Sequence, residues 1–269
     1  TLTDKIFVNK MLSKNKIKFI SALKKKKFRH EYNLFLAEGN KLIKEIASSG
    51  FHIRLLCATQ EWIDTSGHIV DTHAKEIIPV TQEALNKISS LKTPDQVLAV
   101  VEQPHYGLEE SELLQDISLV LEQINDPGNL GTIIRIADWF GIQNVICSPD
   151  TVEVYNPKVI QSTMGSICRV KIHYRDLPEL LTRFQQQEDF PVYGTVMENG
   201  ENIYHAHLTN RGLLIMGNES HGISQAIQPL ITHYLSVPNF SPNPAKNPES
   251  LNVSVAAGII CSEFRRRQG

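Results

Sequence analysis

Strand-like and helix-like segments alternate regularly from residue 117 to the end of the chain. Short apolar runs typical of buried strands cover 117–124, 144–147, 169–173, 192–196, 213–216 and 235–237. Helix-period apolar residues lie between and after these runs, over 130–140, 156–167, 177–187, 224–234 and 251–267. Parallel strands need crossover helices of this kind, because a tight hairpin cannot join them. We therefore predict an α/β domain with a mostly parallel sheet and helices on both faces.

The N-terminal part predicts a smaller α/β domain. Helices are expected over 13–27, 40–49 and 81–89, and strands over 34–37, 53–59 and 97–101. Residues 104–112 are polar and contain proline and glycine, which is typical of a connection between domains. The predicted domains are therefore 1–106 and 107–269.

The charge of the chain is unevenly distributed. Residues 1–30 hold ten lysines and arginines against one aspartate, a local balance of +9 in a chain of net charge −2. A basic arm on an acidic body indicates a polyanionic partner, usually nucleic acid, although a solvated terminus is the alternative. Lys24 to Lys27 would fill a full turn of the predicted helix 13–27, so several of them must face solvent or phosphate.

Composition excludes several classes of protein. A hydrophobic fraction of 41% and a charged fraction of 21% are typical of a globular protein, and no apolar run approaches the roughly 18 residues of a membrane helix. The Lys-rich N-terminus lacks the apolar stretch of a secretory signal. The four cysteines are widely spaced, so neither a disulfide framework nor a metal site is expected. We expect a cytoplasmic protein without a metal.

Three polar, glycine-containing stretches follow predicted strands, at 125–131, 217–222 and 238–252. Ligands of open α/β sheets bind at the carboxyl ends of the strands, so the three stretches predict one site. Neither G-x-G-x-x-G nor G-x-x-x-x-G-K-S/T occurs, which argues against a standard phosphate-binding loop.

Several polar side chains in or beside these stretches suit a reaction. The Arg135 guanidinium suits a phosphate or a carboxylate, and its alternative is an ordinary surface arginine. Glu219 could accept hydrogen bonds or act as a base, and otherwise is a turn residue. Ser250 is expected to cap the closing helix 251–267, with Asn252 inside its first turn.

These stretches carry a family resemblance. The segments NDPGNLGTIIR (125–135), IMGNESHG (215–222) and ESLNVSVAA (249–257) resemble, in order and spacing, the three motifs of the SpoU (TrmH) family. Its members, in the SPOUT superfamily, are RNA ribose 2′-O-methyltransferases that use S-adenosylmethionine. The run KKKFR (25–29) followed by FLAEG (35–39) resembles the substrate-binding domain of the family, which is related to ribosomal protein L30e.

The resemblance implies a fold and a set of site residues. The C-terminal domain would contain a deep trefoil knot, against the general topology rules, and the protein would be a homodimer whose site is shared. The implied catalytic residues are Asn129, Arg135, Glu219, Ser250 and Asn252. Those implied for the cofactor are Thr195, Gly217, Asn218, Val237 and Leu251. The implied RNA contacts are Lys25, Lys26, Lys27, Arg29 and Lys158.

The resemblance also suggests a mechanism, in which the methyl group moves in line from sulfonium to ribose oxygen. A guanidinium stays protonated in proteins, so Arg135 is expected to clamp a phosphate and stabilise the oxyanion, with Glu219 positioning it. Ile160 and Met164, with the closing helix, are expected to offer the dimer surface.

Two departures and three alternatives accompany the resemblance. Gln161 stands where many members carry arginine, and the loop 238–248 is longer than usual. Ribosomal RNA is the favoured substrate, and transfer RNA is the alternative. A non-catalytic RNA-binding protein on the same scaffold stays open, and the missing fingerprint argues against a Rossmann-type nucleotide enzyme.

Overall fold

The structure is a computed structural model that describes residues 12–70, 73–241 and 250–267. The chain divides into two compact units, Thr1–His105 with Tyr155–Cys168, and Tyr106–Val154 with Arg169–Gly269. The first crossing lies next to the boundary placed from the sequence. Residues 155–168, however, group with the first unit, whereas the sequence analysis assigned them to the C-terminal domain.

The first unit alternates helices and strands from its start. Its elements up to the first crossing are α1 (Lys14–Ala22), α2 (Lys26–Tyr32), β1 (Leu34–Glu38), α3 (Asn40–Ser48), β2 (Ile53–Ala58), α4 (Gln60–Ser66), β3 (Ile77–Pro79), α5 (Gln82–Ile88) and β4 (Val97–Glu102). The sequence analysis predicted most of these and missed α2, α4 and β3.

After the first crossing, all helices and strands belong to the second unit except α8, which belongs to the first. In chain order, the elements after the first crossing are α6 (Glu110–Leu113), β5 (Ile117–Leu121), α7 (Pro127–Trp139), β6 (Asn144–Cys147), α8 (Pro157–Thr163), β7 (Lys171–Tyr174), α9 (Leu177–Gln185), β8 (Val192–Thr195), β9 (Glu201–Asn202), β10 (Gly212–Met216), β11 (His233–Ser236) and α10 (Val253–Arg266). In the described part of the chain, no helix is long and apolar enough to cross a membrane.

The sheet of the first unit explains why 155–168 return to it. The strand order is β1-β4-β2-β3, with β1 at one edge. The helix α8 packs against β1, and the ring of Phe35, which is buried, stacks on that of Tyr155 at a centroid distance of 4.9 Å. The returning segment therefore covers apolar side chains that the edge strand would otherwise expose.

The sheet of the second unit has seven strands in the order β7-β6-β5-β10-β8-β11-β9. Every pair of neighbours in it is parallel, which confirms the predicted parallel sheet. β6 and β7, the next strands in sequence, lie on one side of β5, and β10 lies on the other, followed by β8, β11 and β9. The carboxyl edge between β5 and β10 is thus a topological switch point, where ligands of such sheets bind. The trefoil knot implied by the family resemblance stays a prediction.

The predicted helix 13–27 is interrupted at residues 23–25. α1 ends at Ala22, and α2 begins only at Lys26. Arg29 is buried, and its Nη1 donates to the carbonyl oxygens of Leu23 and Lys24, both at 2.9 Å. Carbonyls at a helix end lack intrahelical partners, so the buried guanidinium stabilises the break.

The predicted helix over 224–234 is also absent. A single 3₁₀ turn at Gln228–Leu230 occupies the middle of this segment, and β11 begins at His233. Pro229 has no N–H to donate and its ring blocks the preceding helical turn, and this proline was overlooked in the sequence pattern.

A partly buried polar network connects β6 and β7 to α6. The ring Nε2 of His173, which is buried, lies 3.1 Å from Oδ1 of Asn144. Asn144 donates to Glu112, whose carboxylate also accepts from Lys171 at 2.9 Å. Burial, aided by the positive charges of Arg175 and Lys171, lowers the pKa of His173 from 6.5 to about 4, while Glu112 opposes the shift.

We expect stability to fall between pH 6.5 and 4 because of His173. The unfolded chain binds a proton at the ordinary pKa of 6.5, whereas the folded chain does so only near 4. The contribution of neutral His173 is therefore complete above the unfolded pKa and is lost as the pH falls towards the folded one, by about 1–2 kcal/mol between pH 7 and 5. Urea unfolding of wild type and His173→Gln across this range measures it, and the variant should show a flatter profile. His207→Gln, at an exposed position of the same unit, should keep the wild-type profile.

Candidate active site

A cleft opens at the switch point of the parallel sheet. It has a volume of about 420 Å³ and is formed by the loops that follow β5 and β10. The residues that line it are Gln123, Asn125, Asp126, Asn129, Asn218, Glu219, Ser220 and His221. Two of the three stretches that the sequence analysis assigned to one site therefore meet here.

The start of α7 brings Asn129 to the cleft. The Asp126 side chain caps the helix by accepting from the backbone N–H of Asn129 at 2.9 Å, and Pro127 occupies the first helical position. The helix thus begins three residues before the predicted Leu130. Asn129 consequently lies in the first turn rather than in a loop, with a fixed backbone.

The start of α10 is capped by Asn252, and the predicted cap by Ser250 is wrong. Oδ1 of Asn252 accepts from the backbone N–H of Ser254 at 2.9 Å and from that of Val255 at 3.4 Å. It also accepts from the Ser254 hydroxyl at 2.6 Å. Ser250 is exposed, two residues before the cap.

One chain of side-chain hydrogen bonds joins the three motif segments. Nδ2 of Asn252 donates to Oδ1 of Asn129 at 3.0 Å, and Nδ2 of Asn129 donates to Oε1 of Glu219 at 3.0 Å. The direction is fixed at both ends, because Oδ1 of Asn252 faces N–H donors and a carboxylate can only accept. We call this arrangement the amide relay (Asn252, Asn129 and Glu219).

Asn218 holds the loop that carries Glu219. Its Oδ1 accepts from the backbone N–H groups of Ser220 and His221, at 2.9 and 3.1 Å. Its Nδ2 donates to the carbonyl of Gln123 at 2.8 Å. Through these bonds the Asn218 side chain orients the loop, and the role of Asn218 in cofactor binding stays a prediction.

Gln123 was missed by the sequence analysis, together with Asp126. Gln123 has a φ of 54°, an uncommon conformation for a residue with a side chain. Its N–H donates to Ser148 at 2.9 Å while its carbonyl accepts from Asn218, so both sides of the peptide are held. No sequence signal marks Gln123, whereas Asp126 before Pro127 is a recognisable cap followed by a first-turn proline.

Three of the residues predicted to hold the cofactor lie at one edge. Thr195 ends β8, Gly217 follows β10 and Val237 follows β11, and β8 lies between the other two strands in the sheet. Their carboxyl ends therefore present adjacent backbone groups. Leu251, just before α10, is 50% exposed and offers an apolar surface. This combination of backbone and apolar groups fits a nucleoside cofactor.

The loop at Gly217 accepts only glycine. A Cβ at this position would lie 2.4 Å from the carbonyl carbon of Gly222 and 2.6 Å from its oxygen. The backbone N–H and carbonyl groups of Asn218 and Gly222 also pair with each other, at 2.9 Å. The backbone at Gly217 and Asn218 is thus in direct contact with the backbone at Gly222, which closes the loop.

Comparison with known proteins identifies the family of this chain. Residues 116–262 match the model of the SpoU rRNA Methylase family, and residues 14–99 match that of the MRM3-like substrate binding domain. The chain belongs to the SpoU family. The family predicted from the three motifs is confirmed.

Two relatives and one solved structure span nearly the whole chain. The 23S rRNA (guanosine(2553)-2′-O)-methyltransferase of Bacillus subtilis is 30% identical over 251 residues, 93% of this chain and 96% of its own. The 23S rRNA (uridine(2479)-2′-O)-methyltransferase of Streptomyces viridochromogenes is 27% identical over 87% of this chain and 83% of its own. The AdoMet-bound rRNA methyltransferase of Sinorhizobium meliloti is 26% identical, with a TM-score of 0.83 over 96% of this chain and 98% of that one.

Family membership confirms the predicted reaction class and cofactor. This SpoU protein is an S-adenosylmethionine-dependent RNA ribose 2′-O-methyltransferase. The described residues contain no cluster of three or more His, Cys, Asp or Glu side chains suited to a metal ion, and the absence of a metal stays a prediction.

Arg135 is placed apart from the amide relay. It is exposed on α7, does not line the cleft, and its guanidinium has no hydrogen bond or ion pair with the described residues. Six residues along a helix turn its side chain by about 120° from that of Asn129. The expected pairing of Glu219 with Arg135 is therefore wrong within one chain, where Asn129 is the partner of Glu219.

The predicted RNA contacts differ in exposure. Lys25, Lys26 and Lys27 are exposed in the first unit, as is Lys158 on α8. Arg29 is only 2% exposed and holds the break between α1 and α2. We therefore assign Arg29 a structural role and remove it from the candidate contacts.

We expect Gly217→Ala to impair the cofactor site of this SpoU protein. The added Cβ would overlap the Gly222 backbone, so the loop must shift, at a cost of about 1–3 kcal/mol in the free energy of unfolding. Calorimetric titration with S-adenosylmethionine should show weaker binding, and urea unfolding a lower stability. Gly107→Ala is the control, because its Cβ would lie 3.6 Å from the nearest atom. Unchanged cofactor affinity in Gly217→Ala would remove this loop from the pocket.

Proposed function

We propose that the protein methylates the ribose 2′-hydroxyl of a nucleotide in large-subunit ribosomal RNA, in the cytoplasm. The two curated relatives described above carry 23S rRNA in their names, and the match extends over most of each chain. Their names print different bases, guanosine and uridine, so the family alone does not fix the target base. Transfer RNA is the alternative substrate, and methylation assays with each purified RNA distinguish the two.

The amide relay is the observation that carries the proposal for the site. It joins the first turns of α7 and α10 to the loop after β10 through two hydrogen bonds of 3.0 Å. The neutral amides of Asn129 and Asn252 are placed where ribose and phosphate oxygens are to be oriented. The Glu219 carboxylate accepts a hydrogen bond from the Asn129 amide. Bound S-adenosylmethionine supplies an activated methyl group. The chain supplies fixed geometry, which brings the reacting atoms into line.

We assign roles to the catalytic residues on this basis. Asn129 is oriented from both sides, Glu219 fixes its amide, and Asn252 sets its position from the start of α10. Ser250, exposed just before that helix, is available to bond the ribose. Arg135 is assigned to the RNA phosphate next to the reacting nucleotide, because an exposed guanidinium suits bidentate binding of phosphate.

The location of Arg135 supports the proposal that two protomers complete each site. Thr132 and Ile136, which flank it within one helical turn, line an apolar groove of about 580 Å³ between α7 and α10. The other lining residues are Phe140, Ser254, Val255, Gly258, Ile259 and Ser262. Val255, in the groove, is 51% exposed, and Trp139, elsewhere on α7, is 84% exposed. We propose that this face forms the homodimer and carries Arg135 to the cleft of the second protomer.

The proposed dimer face differs in part from the dimer surface that the sequence analysis expected. Ile160, expected at the dimer surface, is buried at 1% exposure within the first unit. Met164, on the same segment, is 43% exposed. Met164 and the closing helix therefore remain from the predicted set.

Arg135→Ala should lower methylation by about 100-fold or more, because a charged donor at the reacting group acts mainly in the transition state. Cofactor affinity and folding should stay near wild type. Steady-state methylation of rRNA lacking the modification measures the effect, with Arg211→Ala, also exposed, as the control. Activity within about threefold of wild type would contradict the assigned role.

A mixed dimer tests the shared site. Co-expressed Arg135→Ala and Glu219→Ala protomers should regain roughly a quarter of wild-type activity, since half of the dimers then hold one intact site of two. If both residues act within one chain, each mixed dimer contains only damaged sites and no activity returns.

The protein should be a dimer that a charge in the groove dissociates. Light scattering is expected to give twice the chain mass of 30.3 kDa. Val255→Asp should give the monomer mass, because an unpaired carboxylate is costly in an apolar interface. Met197→Asp changes another exposed apolar residue, at 65% exposure, and should leave the dimer intact. A monomeric wild type at micromolar concentration would refute the proposed interface.

A further inference from the structure

Three aromatic rings cluster on the helical surface of the first unit. The rings of Phe28 and Tyr32 lie 6.1 Å apart between centroids and are inclined by only 20°. The ring of Phe19, on α1, lies 5.5 Å from that of Tyr32. We call this group the aromatic face (Phe19, Phe28 and Tyr32). It lies within the substrate-binding match. Phe28 belongs to the KKKFR run (25–29), but none of the three rings is among the site residues that the resemblance implies.

The aromatic face is only partly used by the core. Phe19 packs against the core cluster of the first unit, whereas Tyr32 is 39% exposed. Phe28 and Tyr32 are four residues apart on α2 and so share one side of the helix. The helix ends directly afterwards, at Asn33 with a φ of 54°. The hydroxyl of Tyr32 makes no hydrogen bond to the described residues, so the part of the side chain that is exposed is available to a partner.

Exposed lysines lie next to the aromatic residues along α1 and α2. Lys25, Lys26 and Lys27 are exposed at the start of α2, and Nζ of Lys27 lies 5.9 Å from the centroid of the Phe28 ring. Lys18, also exposed, precedes Phe19 on α1. Glu31 is the acidic residue of α2. The surface therefore combines π-faces with an excess of positive charge.

We propose that the aromatic face is a stacking platform for an unpaired base of the RNA substrate, with Lys25, Lys26 and Lys27 binding the adjoining phosphates. The inference rests on the proposed function and specifies which part of the RNA the first unit binds. Aromatic side chains stack on any base, and the neighbouring cations follow the backbone, which is the combination used for single-stranded nucleic acid. Charge complementarity selects RNA over an apolar protein partner for this face.

The break between α1 and α2 builds this surface. Because the chain turns at 23–25, α2 leaves the direction of α1, and the two helices contribute rings to one cluster. Arg29 fixes the turn from inside, while Lys24 is tied to the carbonyl of Ser89 at 2.6 Å. The next three lysines are left at the surface beside the rings.

The test uses a single-stranded oligoribonucleotide of about 12 nucleotides, within the range of single-strand sites, with 2-aminopurine at its centre. The same strand annealed to its complement is the duplex probe. The variants are Tyr32→Leu and Phe28→Leu, which keep apolar volume but remove a ring, and Tyr32→Phe, which keeps the ring. Tyr204→Leu replaces a tyrosine of similar exposure, 41%, in the second unit. Circular dichroism and calorimetry with S-adenosylmethionine check the fold and the cofactor site of each variant.

We expect wild type, Tyr32→Phe and Tyr204→Leu to bind the single strand alike and to quench 2-aminopurine. Tyr32→Leu and Phe28→Leu should bind it roughly 10-fold more weakly, with the quenching lost and duplex binding unchanged. Replacing Lys25, Lys26 and Lys27 by alanine should instead flatten the salt dependence, by about 0.7 per lost phosphate contact, and leave the quenching of bound probe.

Two results would overturn the platform. One is binding of the single strand by Tyr32→Leu within about twofold of wild type with normal quenching. The other is an equal loss for single strand and duplex, which indicates damage to the surface and not loss of stacking. If the wild type shows the expected quenching but methylates no ribosomal RNA, the platform stands and the proposed substrate is wrong.

Discussion

The hydrogen bond from Asn252 to Asn129 is the contact on which the geometry of this SpoU protein depends. It joins two residues 123 positions apart at a distance of 3.0 Å. Each of them lies at the start of a long helix, and each of those helices leaves the carboxyl edge of the parallel sheet. Asn252 serves twice, because its oxygen caps α10 while its nitrogen reaches α7. Any displacement of α10 along its axis would therefore alter the orientation of Asn129 and, through it, of Glu219.

Neutral groups carry most of this arrangement, and that choice has a physical reason. A charged side chain in place of Asn129 would have to be desolvated beside Glu219, and a cation there would form an ion pair with the Glu219 carboxylate. An amide presents one donor and one acceptor side in fixed positions. The relay therefore transmits orientation without adding charge, and it leaves the positive charge needed for RNA to residues outside the cleft.

The sequence predicted the parallel sheet, the convergence of the motif segments and the family, because these depend on periodicity, turn residues and local motifs. It did not predict details that depend on contacts between distant residues. Arg29 belongs to a basic run, and only its burial against Leu23 and Lys24 distinguishes it from its lysine neighbours. The αL conformation of Gln123 likewise follows from its contacts with Ser148 and Asn218. Arg135 does not reach Glu219 because it lies on a different side of α7 from Asn129, the partner of Glu219.

The return of residues 155–168 to the first unit limits how the protein can be divided. The chain passes between the two units three times, so neither unit is a continuous stretch of sequence. A fragment ending at His105 would lose α8 and Tyr155, and the buried ring of Phe35 would lose its stacking partner. The first unit is thus not joined end to end with the second in the sequence. A recombination between two family members that exchanged residues 1–105 without residues 155–168 would combine parts of the first unit from different parents. The core of that unit would then be disrupted in both products.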